Sequence, residues 1–390
     1  RNVRKQAFVA VYSTYDKFKN TFASTLSGAV KKNNFYARIR RFRSAQEASL
    51  YQNNIPVSVY DNLVKTVNDR LDLLHRYVAL RKKILGVDEL HMYDLYAPLV
   101  KQAKMVFSFD EAKRTILNGL APLGVDYVST VEKGFENRWI DVYESVGKRS
   151  GAYSSGTYGT MPYILMNWQD DVNSLFTLAH ELGHSMHSYY TWKHQPYPYA
   201  NYSIFVAEVA STCNEALLND YLLKQTKDKQ KKMVLLNHYL EGFRGTVFRQ
   251  TMFAEFEQAI HEKEANGEPL TPELLTKTYY DLNVKYFGRD VVIDDAIGLE
   301  WARIPHFYYN FYVYQYATGF SAAASLSKQI LEEGKPAVDR YLAFLKAGSS
   351  DYPIDVLKKA GVDMTQPKPI EDALDVFESM LTEMEQQLNN

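Results

Sequence analysis

The chain repeats apolar side chains every three or four positions over most of its length, which is the spacing of one face of an α-helix. Near the start, Phe8, Tyr12, Tyr15 and Phe22 follow this spacing, and we expect their helix to end at Gly28. The pattern predicts helices over these ranges: 1–30, 44–52, 59–84, 110–147, 172–190, 202–224, 228–263, 271–285, 300–333, 335–347 and 368–388. The sequence therefore predicts a mainly α fold.

A different pattern interrupts the helices between Gly147 and Trp168. Glycines lie there among serines and tyrosines, and they disfavour a stable helix. We interpret 150–158 as a flexible loop or hairpin and 163–167 as a β-strand, with Pro162 acceptable only at the start or edge of a strand. One small β-sheet is therefore expected within the helical fold.

The composition narrows the class of protein. Of 390 residues, 46% are hydrophobic and 23% are charged, which excludes disordered and collagen-like chains. The net charge of -1 gives no reason to expect nucleic acid or a membrane surface as a partner. The single cysteine, Cys213, cannot form an internal disulfide, so we expect a cytoplasmic location. The chain begins with Arg1 rather than Met, so we expect it to have been processed or to belong to a longer protein.

The strongest chemical signal is the His-Glu-x-x-His pattern of His180, Glu181 and His184. On a helix, the two histidines lie one turn apart on the same face and can bind one metal ion, while the glutamate points at a water molecule on that ion. The pattern therefore predicts a hydrolytic zinc site. The pair His261-Glu262 lacks a second histidine, and we expect it to be a solvated surface pair.

A catalytic zinc ion usually takes three protein ligands and a water molecule. Glu208 is the candidate third ligand, because it lies among apolar residues on the next predicted helix and a loop can reverse the chain between the two. The alternative is an ordinary buried ion pair with a lysine or arginine. Glu215, on the same face, is a competing ligand or a hydrogen-bond partner of a zinc-bound histidine. His187 lies at the edge of the ligand face, and we do not expect it to bind the metal.

The densest aromatic stretch runs from Ile304 to Tyr316. On a continuous helix, His306, Tyr309, Tyr312 and Tyr316 would share a face of roughly 120°. A phenol or imidazole donor near the zinc could stabilise the oxyanion of a tetrahedral intermediate. The alternative is a packing seam between helices, with the hydroxyl groups at the surface.

Several segments together resemble the thimet oligopeptidase family of zinc metallopeptidases, and within it the bacterial oligoendopeptidase F type. These segments are Gly151 to Trp168, Phe176 to Ser188, Phe205 to Leu217, His306 to Gly319 and Gly348 to Met364. The resemblance implies a helical metallopeptidase of two lobes, with one Zn²⁺ ion at the floor of a deep substrate channel and a preference for short oligopeptides. Members of this type carry a further N-terminal lobe, so the resemblance also implies a single helical catalytic domain over 1–390 without that lobe.

By motif, the resemblance implies these zinc ligands: His180, His184 and Glu208. It makes Glu181 the general base, in agreement with the helix argument. In this family the strand before the zinc helix pairs with the substrate backbone, so we expect 163–167 to be an edge strand. The glycine-rich loop 151–159 would then close over a bound peptide.

The resemblance also implies that His306 and a following tyrosine donate hydrogen bonds to the oxyanion. Tyr312 is our choice of tyrosine, with Tyr309 and Tyr316 as rivals. We also expect Tyr309 and Tyr316, together with Tyr163, to contact the substrate.

The sequence thus favours a zinc-dependent endopeptidase that cleaves internal bonds of short peptides. A metallocarboxypeptidase would use the same chemistry, but it would need a positive group to hold the carboxylate of the substrate. An inactive helical peptide-binding module is the alternative from a different class. The sequence alone sets neither the oligomeric state nor the cleavage specificity.

Overall fold

The computed structural model describes residues 1–100 and 105–389, which are mainly helical as predicted. The α-helices are α1 (Asn2–Asp16), α2 (Lys19–Ile39), α3 (Ala45–Leu50), α4 (Val57–Asp69), α5 (Leu71–Leu85), α6 (Phe109–Gly119), α7 (Val125–Glu136), α8 (Val172–His194), α9 (Ile204–Gln225), α10 (Lys229–Phe243), α11 (Arg249–Ala265), α12 (Pro272–Phe287), α13 (Tyr314–Glu333), α14 (Lys335–Ala347), α15 (Pro353–Lys359) and α16 (Lys368–Asn389). The strands are β1 (Leu90–His91), β2 (Ile140–Asp141), β3 (Tyr153–Ser155), β4 (Tyr163–Leu165) and β5 (Val291–Val292).

The chain divides into two compact units, each made from two separate stretches of sequence. The first unit comprises Arg1–Leu99 and Glu241–Ala317, and the second comprises Val100–Leu240 and Thr318–Asn390. The single catalytic domain expected over 1–390 stays a prediction. In the part of the chain that the structure describes, every helix is too short or too polar to cross a membrane.

The second unit contains a three-stranded sheet beside α8, and it corrects one prediction. Its strand order is β2-β4-β3, with β4 parallel to β2 and antiparallel to β3. The predicted strand 163–167 is therefore shorter than expected and central rather than at an edge, because β2 occupies its second side. Pro162 directly precedes β4, as a strand start requires. The expected loop over 150–158 contributes β3, one arm of a hairpin. A separate parallel pair, β1 and β5, lies in the first unit.

Helix α8 is the centre of the second unit. The side chain of Asp171 caps its N-terminus by accepting a hydrogen bond from the backbone N–H of Ser174 at 2.8 Å. The helix is apolar on most sides, which is the pattern of a helix buried within a core. It packs against α9, α14 and both arms of the β3–β4 hairpin. The histidine pair therefore lies on a helix that neighbouring elements hold from several directions.

Several predicted helices differ from those observed. The range 59–84 is divided between α4 and α5, and the range 110–147 contains α6, α7 and strand β2. The range 1–30 contains two helices, and α2 continues past Gly28, because one glycine costs a helix only about 1 kcal/mol. The range 300–333 is α-helical only from Tyr314. Before it lie a 3₁₀ segment that ends at Arg303, a second one over Pro305–Tyr308, and a turn. Pro305 ends the first segment, because a proline disfavours helical dihedrals in the residue before it.

Candidate metal centre

Helices α8 and α9 bring three potential ligand atoms together. His180 Nε2 lies 3.2 Å from His184 Nε2, and Glu208 Oε2 lies 3.3 Å from the first nitrogen and 3.4 Å from the second. The two histidines face the same way because they are one helical turn apart. Glu208 arrives from the antiparallel neighbour after the chain reverses through a 3₁₀ turn at Tyr197–Tyr199. Within the described residues, these three side chains form the group close enough to hold one metal ion.

The spacing of these atoms fits tetrahedral zinc. Zinc binds imidazole nitrogen and carboxylate oxygen at about 2.0–2.1 Å, and neighbouring corners of a tetrahedron are about 1.63 times that length apart, or about 3.3–3.4 Å. The distances between the three ligand atoms, 3.2, 3.3 and 3.4 Å, agree with this value. A His₂Glu donor set is also the one that hydrolytic zinc sites use.

A second carboxylate orients the first histidine. Glu215 Oε1 lies 2.6 Å from His180 Nδ1, so the carboxylate accepts the Nδ1–H proton and leaves Nε2 for the metal. Burial alone would lower the pKa of His180, but the hydrogen bonds with Glu208 and Glu215 outweigh it and raise this pKa to about 10. Glu215 is therefore a hydrogen-bond partner of His180 and lies outside the group of three potential ligands.

The same interactions keep Glu208 ionised. Burial alone would raise its pKa, but hydrogen bonds from His180 and His184, together with the positive charge of these rings, hold the pKa of Glu208 well below its usual range. The Ser211 hydroxyl also donates to Glu208 Oε2 at 3.2 Å. The pocket therefore favours positive charge, as a divalent metal site must.

Glu181 follows His180 on α8 and is 7% exposed. Burial raises the pKa of its carboxyl group, while the two ligand histidines and a hydrogen bond from the backbone N–H of Ser154 act in the opposite direction. Ser154 belongs to β3, and its hydroxyl lies 2.8 Å from the hydroxyl of Ser185 on α8. The hairpin therefore lies against α8 and contacts the predicted general base.

Two contacts that support the site were not predicted. Asn214 Nδ2 on α9 donates to the carbonyl of Ala179 at 3.1 Å, next to His180, and Tyr127 on α7 donates to Asn214 Oδ1 at 2.9 Å. Ser154 was likewise missed, although the glycines around it marked a hairpin. No local pattern shows which backbone group a hairpin residue will meet across 27 positions of sequence.

Comparisons with known proteins agree with this site. The sequence model of peptidase family M3 matches residues 1–376. The chain belongs to peptidase family M3. Its resemblance to oligoendopeptidase F is thereby confirmed.

Several relatives in the M3 family are much longer than this chain. Oligopeptidase PepF of Bacillus subtilis is 70% identical over 388 residues, which cover 100% of this chain and 58% of the relative. Group B oligopeptidase PepB of Streptococcus agalactiae is 52% identical over 99% of this chain and 64% of its own length. The crystal structure of oligoendopeptidase-F from Enterococcus faecium superposes with a TM-score of 0.83 at 47% identity, covering 100% of this chain and 64% of that one. The chain thus spans about three fifths of the length of these relatives.

Four of the remaining predicted site residues of this M3 chain form an aromatic cluster in the first unit. The ring of His306 lies 5.7 Å from Tyr309, 6.0 Å from Tyr312 and 6.1 Å from Tyr316, and the Tyr316 hydroxyl donates to the Tyr312 hydroxyl at 3.4 Å. The four rings meet across a turn rather than along one helix, which corrects the reason given for grouping them. The packing-seam alternative does not account for Tyr309, which is 59% exposed.

Two other histidines are buried and lie outside the group of potential metal ligands. His187 stacks on Tyr202 with ring centroids 3.7 Å apart, and burial lowers the pKa of His187 to about 3. It lies outside the group of metal-ligating side chains, as expected. His261 is 3% exposed, so the prediction that it forms a solvated surface pair is wrong. Tyr163, expected to contact the substrate, lies on β4 and is 52% exposed.

Proposed function

We propose that the chain is the zinc-binding part of an endopeptidase that hydrolyses internal bonds of short oligopeptides, with one Zn²⁺ ion. The observation that supports this most directly is the tetrahedral spacing of the ligand atoms of His180, His184 and Glu208, with Glu181 beside them on the same helix. Membership of peptidase family M3 and identity to proteins named oligopeptidases support the same class of reaction.

Zinc bound by these three residues supplies Lewis acidity, which polarises a carbonyl group and lowers the pKa of water. Glu181 acts as the general base: its carboxylate takes a proton from the attacking water and passes it to the nitrogen of the leaving amine. Burial, which raises the pKa of Glu181, makes the carboxylate a stronger base. The Ser154 amide keeps the carboxylate oriented by donating to it.

His306 and Tyr312 serve as donors to the oxyanion that develops on the substrate, and Tyr309 and Tyr316 contact the peptide. The support for this assignment is the clustering of the four rings, together with the partial exposure that keeps their polar atoms available. Losing one such donor costs an enzyme about 2.7–4 kcal/mol of transition-state stabilisation.

An extended peptide can add to the edge of a β-sheet. Because β4 is central, β2 and β3 are the two edge strands of this sheet among the described residues, and β3 is the one whose Ser154 amide contacts Glu181. We propose that the substrate backbone pairs with β3, next to Glu181. A folded substrate would first have to unfold, at about 5–15 kcal/mol, so short peptides should be cut and native proteins left intact.

The test compares Glu181→Gln with the wild type. The amide cannot exchange the proton, so kcat should fall by about 100-fold or more while zinc content stays unchanged. Glu132→Gln is the matched control, because Glu132 is exposed on α7 and should alter neither quantity. Turnover of a quenched fluorescent peptide and metal analysis provide the measurements, and a wild-type kcat for Glu181→Gln would reject the mechanism.

The choice of substrate separates this proposal from its alternatives. Mass spectrometry of products from a peptide ladder with amidated C-termini should find internal cleavage. Cleavage of peptides with free C-termini alone would indicate a metallocarboxypeptidase. Binding without turnover, in a zinc-loaded protein, would indicate a peptide-binding module.

A further inference from the structure

The chain makes an unusual turn immediately before Tyr312. Asn310 and Phe311 have φ angles of 49° and 56°, so two consecutive residues with side chains adopt the left-handed conformation. Glycine is the residue that adopts this conformation readily, and a bulky residue such as phenylalanine rarely does. The turn joins the 3₁₀ segment Pro305–Tyr308 to α13. Such a conformation persists only where surrounding groups hold it.

Two hydrogen bonds from distant parts of the first unit hold the backbone of this turn. The backbone N–H of Phe311 donates to Glu257 Oε1 on α11 at 2.6 Å. The hydroxyl of Ser49 on α3 donates to the carbonyl of Asn310 at 2.7 Å. Both hydrogen bonds therefore hold the same peptide group, the one that links Asn310 to Phe311, and they come from residues far away in the sequence on either side of α4 and α5.

Packing fixes the side chain of Phe311 as well. Its ring is 2% exposed and lies with its centroid 5.7 Å from the ring of Tyr60 and 4.6 Å from that of His261. Hydrogen bonds with α11 hold both neighbours. Tyr60 donates to the carbonyl of Ala254 at 2.6 Å, and His261, which belongs to α11, donates from Nδ1 to the carbonyl of Glu257 at 2.8 Å. Tyr312 therefore leaves the turn from an anchored position.

Burying Glu257 costs folding free energy that an apolar residue filling the same space would not cost. It is fully buried, and burial raises its pKa to about 8. Its second oxygen, Oε2, has no hydrogen-bond partner. An apolar residue of similar volume would pack there without this desolvation penalty. The carboxyl group accepts its hydrogen bond from the turn, at the amide of Phe311. Holding the turn is therefore the role that explains an acid at this buried position.

We propose that Glu257 is a positioning residue for Tyr312: its carboxyl group holds the Phe311 amide, fixes the left-handed turn and so sets the direction of the Tyr312 hydroxyl. The inference rests on the proposed function, in which Tyr312 donates to the oxyanion. The turn would set the alignment of the Tyr312 ring with the ring of His306, on which it stacks at an interplanar angle of 15°.

Three variants separate positioning from packing. Glu257→Leu keeps most of the volume but cannot accept the amide hydrogen. Glu257→Gln keeps an acceptor oxygen and is the conservative rescue. Ile260→Ala, at a fully buried position on the same helix, is the control for a destabilised core that leaves the carboxyl group in place. Adding Asn310→Gly to Glu257→Leu tests the turn itself, because glycine adopts the left-handed conformation without help.

Each zinc-loaded variant is examined by amide hydrogen exchange of the segment 305–316 and by kcat and KM on a quenched peptide. Glu257→Leu should accelerate exchange in this segment and lower kcat by about 10- to 100-fold, with KM within about three-fold, since a misplacement of about 1 Å has effects of this size. Glu257→Gln and Ile260→Ala should each keep kcat within about three-fold of the wild type. Adding Asn310→Gly to Glu257→Leu should raise kcat at least about ten-fold above that of Glu257→Leu alone.

Unchanged exchange in Glu257→Leu would overturn the claim that Glu257 holds the turn. Unchanged kcat despite faster exchange, an equal loss in Ile260→Ala, or no recovery with Asn310→Gly would overturn the link to catalysis. Tyr312→Phe is measured in parallel: a wild-type kcat there would reject the oxyanion role of Tyr312, while the exchange data would still decide what Glu257 does to the turn.

Discussion

Gly183, between the two histidines on α8, lies in close contact with the backbone of α9. A Cβ atom added there would lie 2.4 Å from Ser211 Cα, 2.6 Å from the Ala210 carbonyl oxygen and 2.7 Å from the Ser211 nitrogen. All three are backbone atoms of α9, so no side chain can rotate to make room. The substitution Gly183→Ala must therefore move the two helices apart.

The required movement can be compared with the tolerance of the metal site. Ordinary contact begins at 3.4 Å, so the closest approach of 2.4 Å is short by about 1.0 Å. Glu208 is on α9 and the two histidines are on α8, so the separation would lengthen the 3.3 and 3.4 Å distances between their ligand atoms. Metal sites accept ligand distances within about 0.2 Å of ideal. We expect zinc affinity to fall by at least about 10- to 100-fold and folding stability by about 1–3 kcal/mol.

Competition with a chromophoric chelator measures the zinc dissociation constant, and thermal unfolding of the metal-free protein measures stability. Gly28→Ala on α2 is the matched control, because its Cβ would meet nothing within 4 Å, and it should stabilise the protein by about 0.5–1 kcal/mol. If Gly183→Ala bound zinc as tightly as the wild type, the contact between α8 and α9 would not set the ligand spacing, and the reasoning would fail.

Further predictions concern three carboxylates. Glu208→Ala should weaken zinc binding by about 100-fold or more in chelator competition, and unchanged affinity would mean that another carboxylate is the ligand. Glu215→Ala should weaken it by about 10- to 100-fold, because the Nδ1–H of His180 loses its acceptor, whereas an effect as large as that of Glu208→Ala would contradict the assignment of Glu215 as an outer partner. Burial raises the pKa of Glu257 to about 8 in the folded protein, against about 4.3 in the unfolded chain. The stability of the wild type relative to Glu257→Gln should therefore fall as the pH rises from about 5 to 8, measured by denaturant titration. A stability difference that does not change with pH would contradict the raised pKa.

The grouping of the three candidate ligands was predictable because it depends on residues that are close together in the sequence. The spacing of His180 and His184 becomes a shared face as soon as the segment is helical, and apolar neighbours identified Glu208 as a carboxylate on a buried helix. The loop that reverses the chain between α8 and α9 is short, so few alternative arrangements exist. The structure brings these three side chains together, and their binding of a metal ion stays a prediction.

The aromatic cluster and the sheet were predicted less well because they depend on contacts between distant residues. Asn310 is of a residue type that accepts the left-handed conformation, but Phe311 is not, and the acid that holds the turn lies 54 residues before Phe311. The sequence therefore favoured an uninterrupted helix through the tyrosines. Strand β2 has only two residues, too few to produce an alternating pattern, and without it β4 was interpreted as an edge.

The half-buried Glu208 and the fully buried Glu257 illustrate why loss of water alone does not determine the role of an acid. Glu208 and Glu257 both lose water, and desolvation acts on both in the same direction by favouring the neutral form. Glu208 faces His180 and His184, whose positive charge more than reverses this effect, so it stays ionised where a cation is to be bound. Glu257 faces a single backbone amide, which offsets desolvation only in part, so its carboxyl group can remain neutral at moderate pH. A neutral carboxyl group still accepts a hydrogen bond from an amide, but it attracts a metal ion weakly. The groups that face each acid therefore suit Glu208 to binding metal and Glu257 to holding backbone.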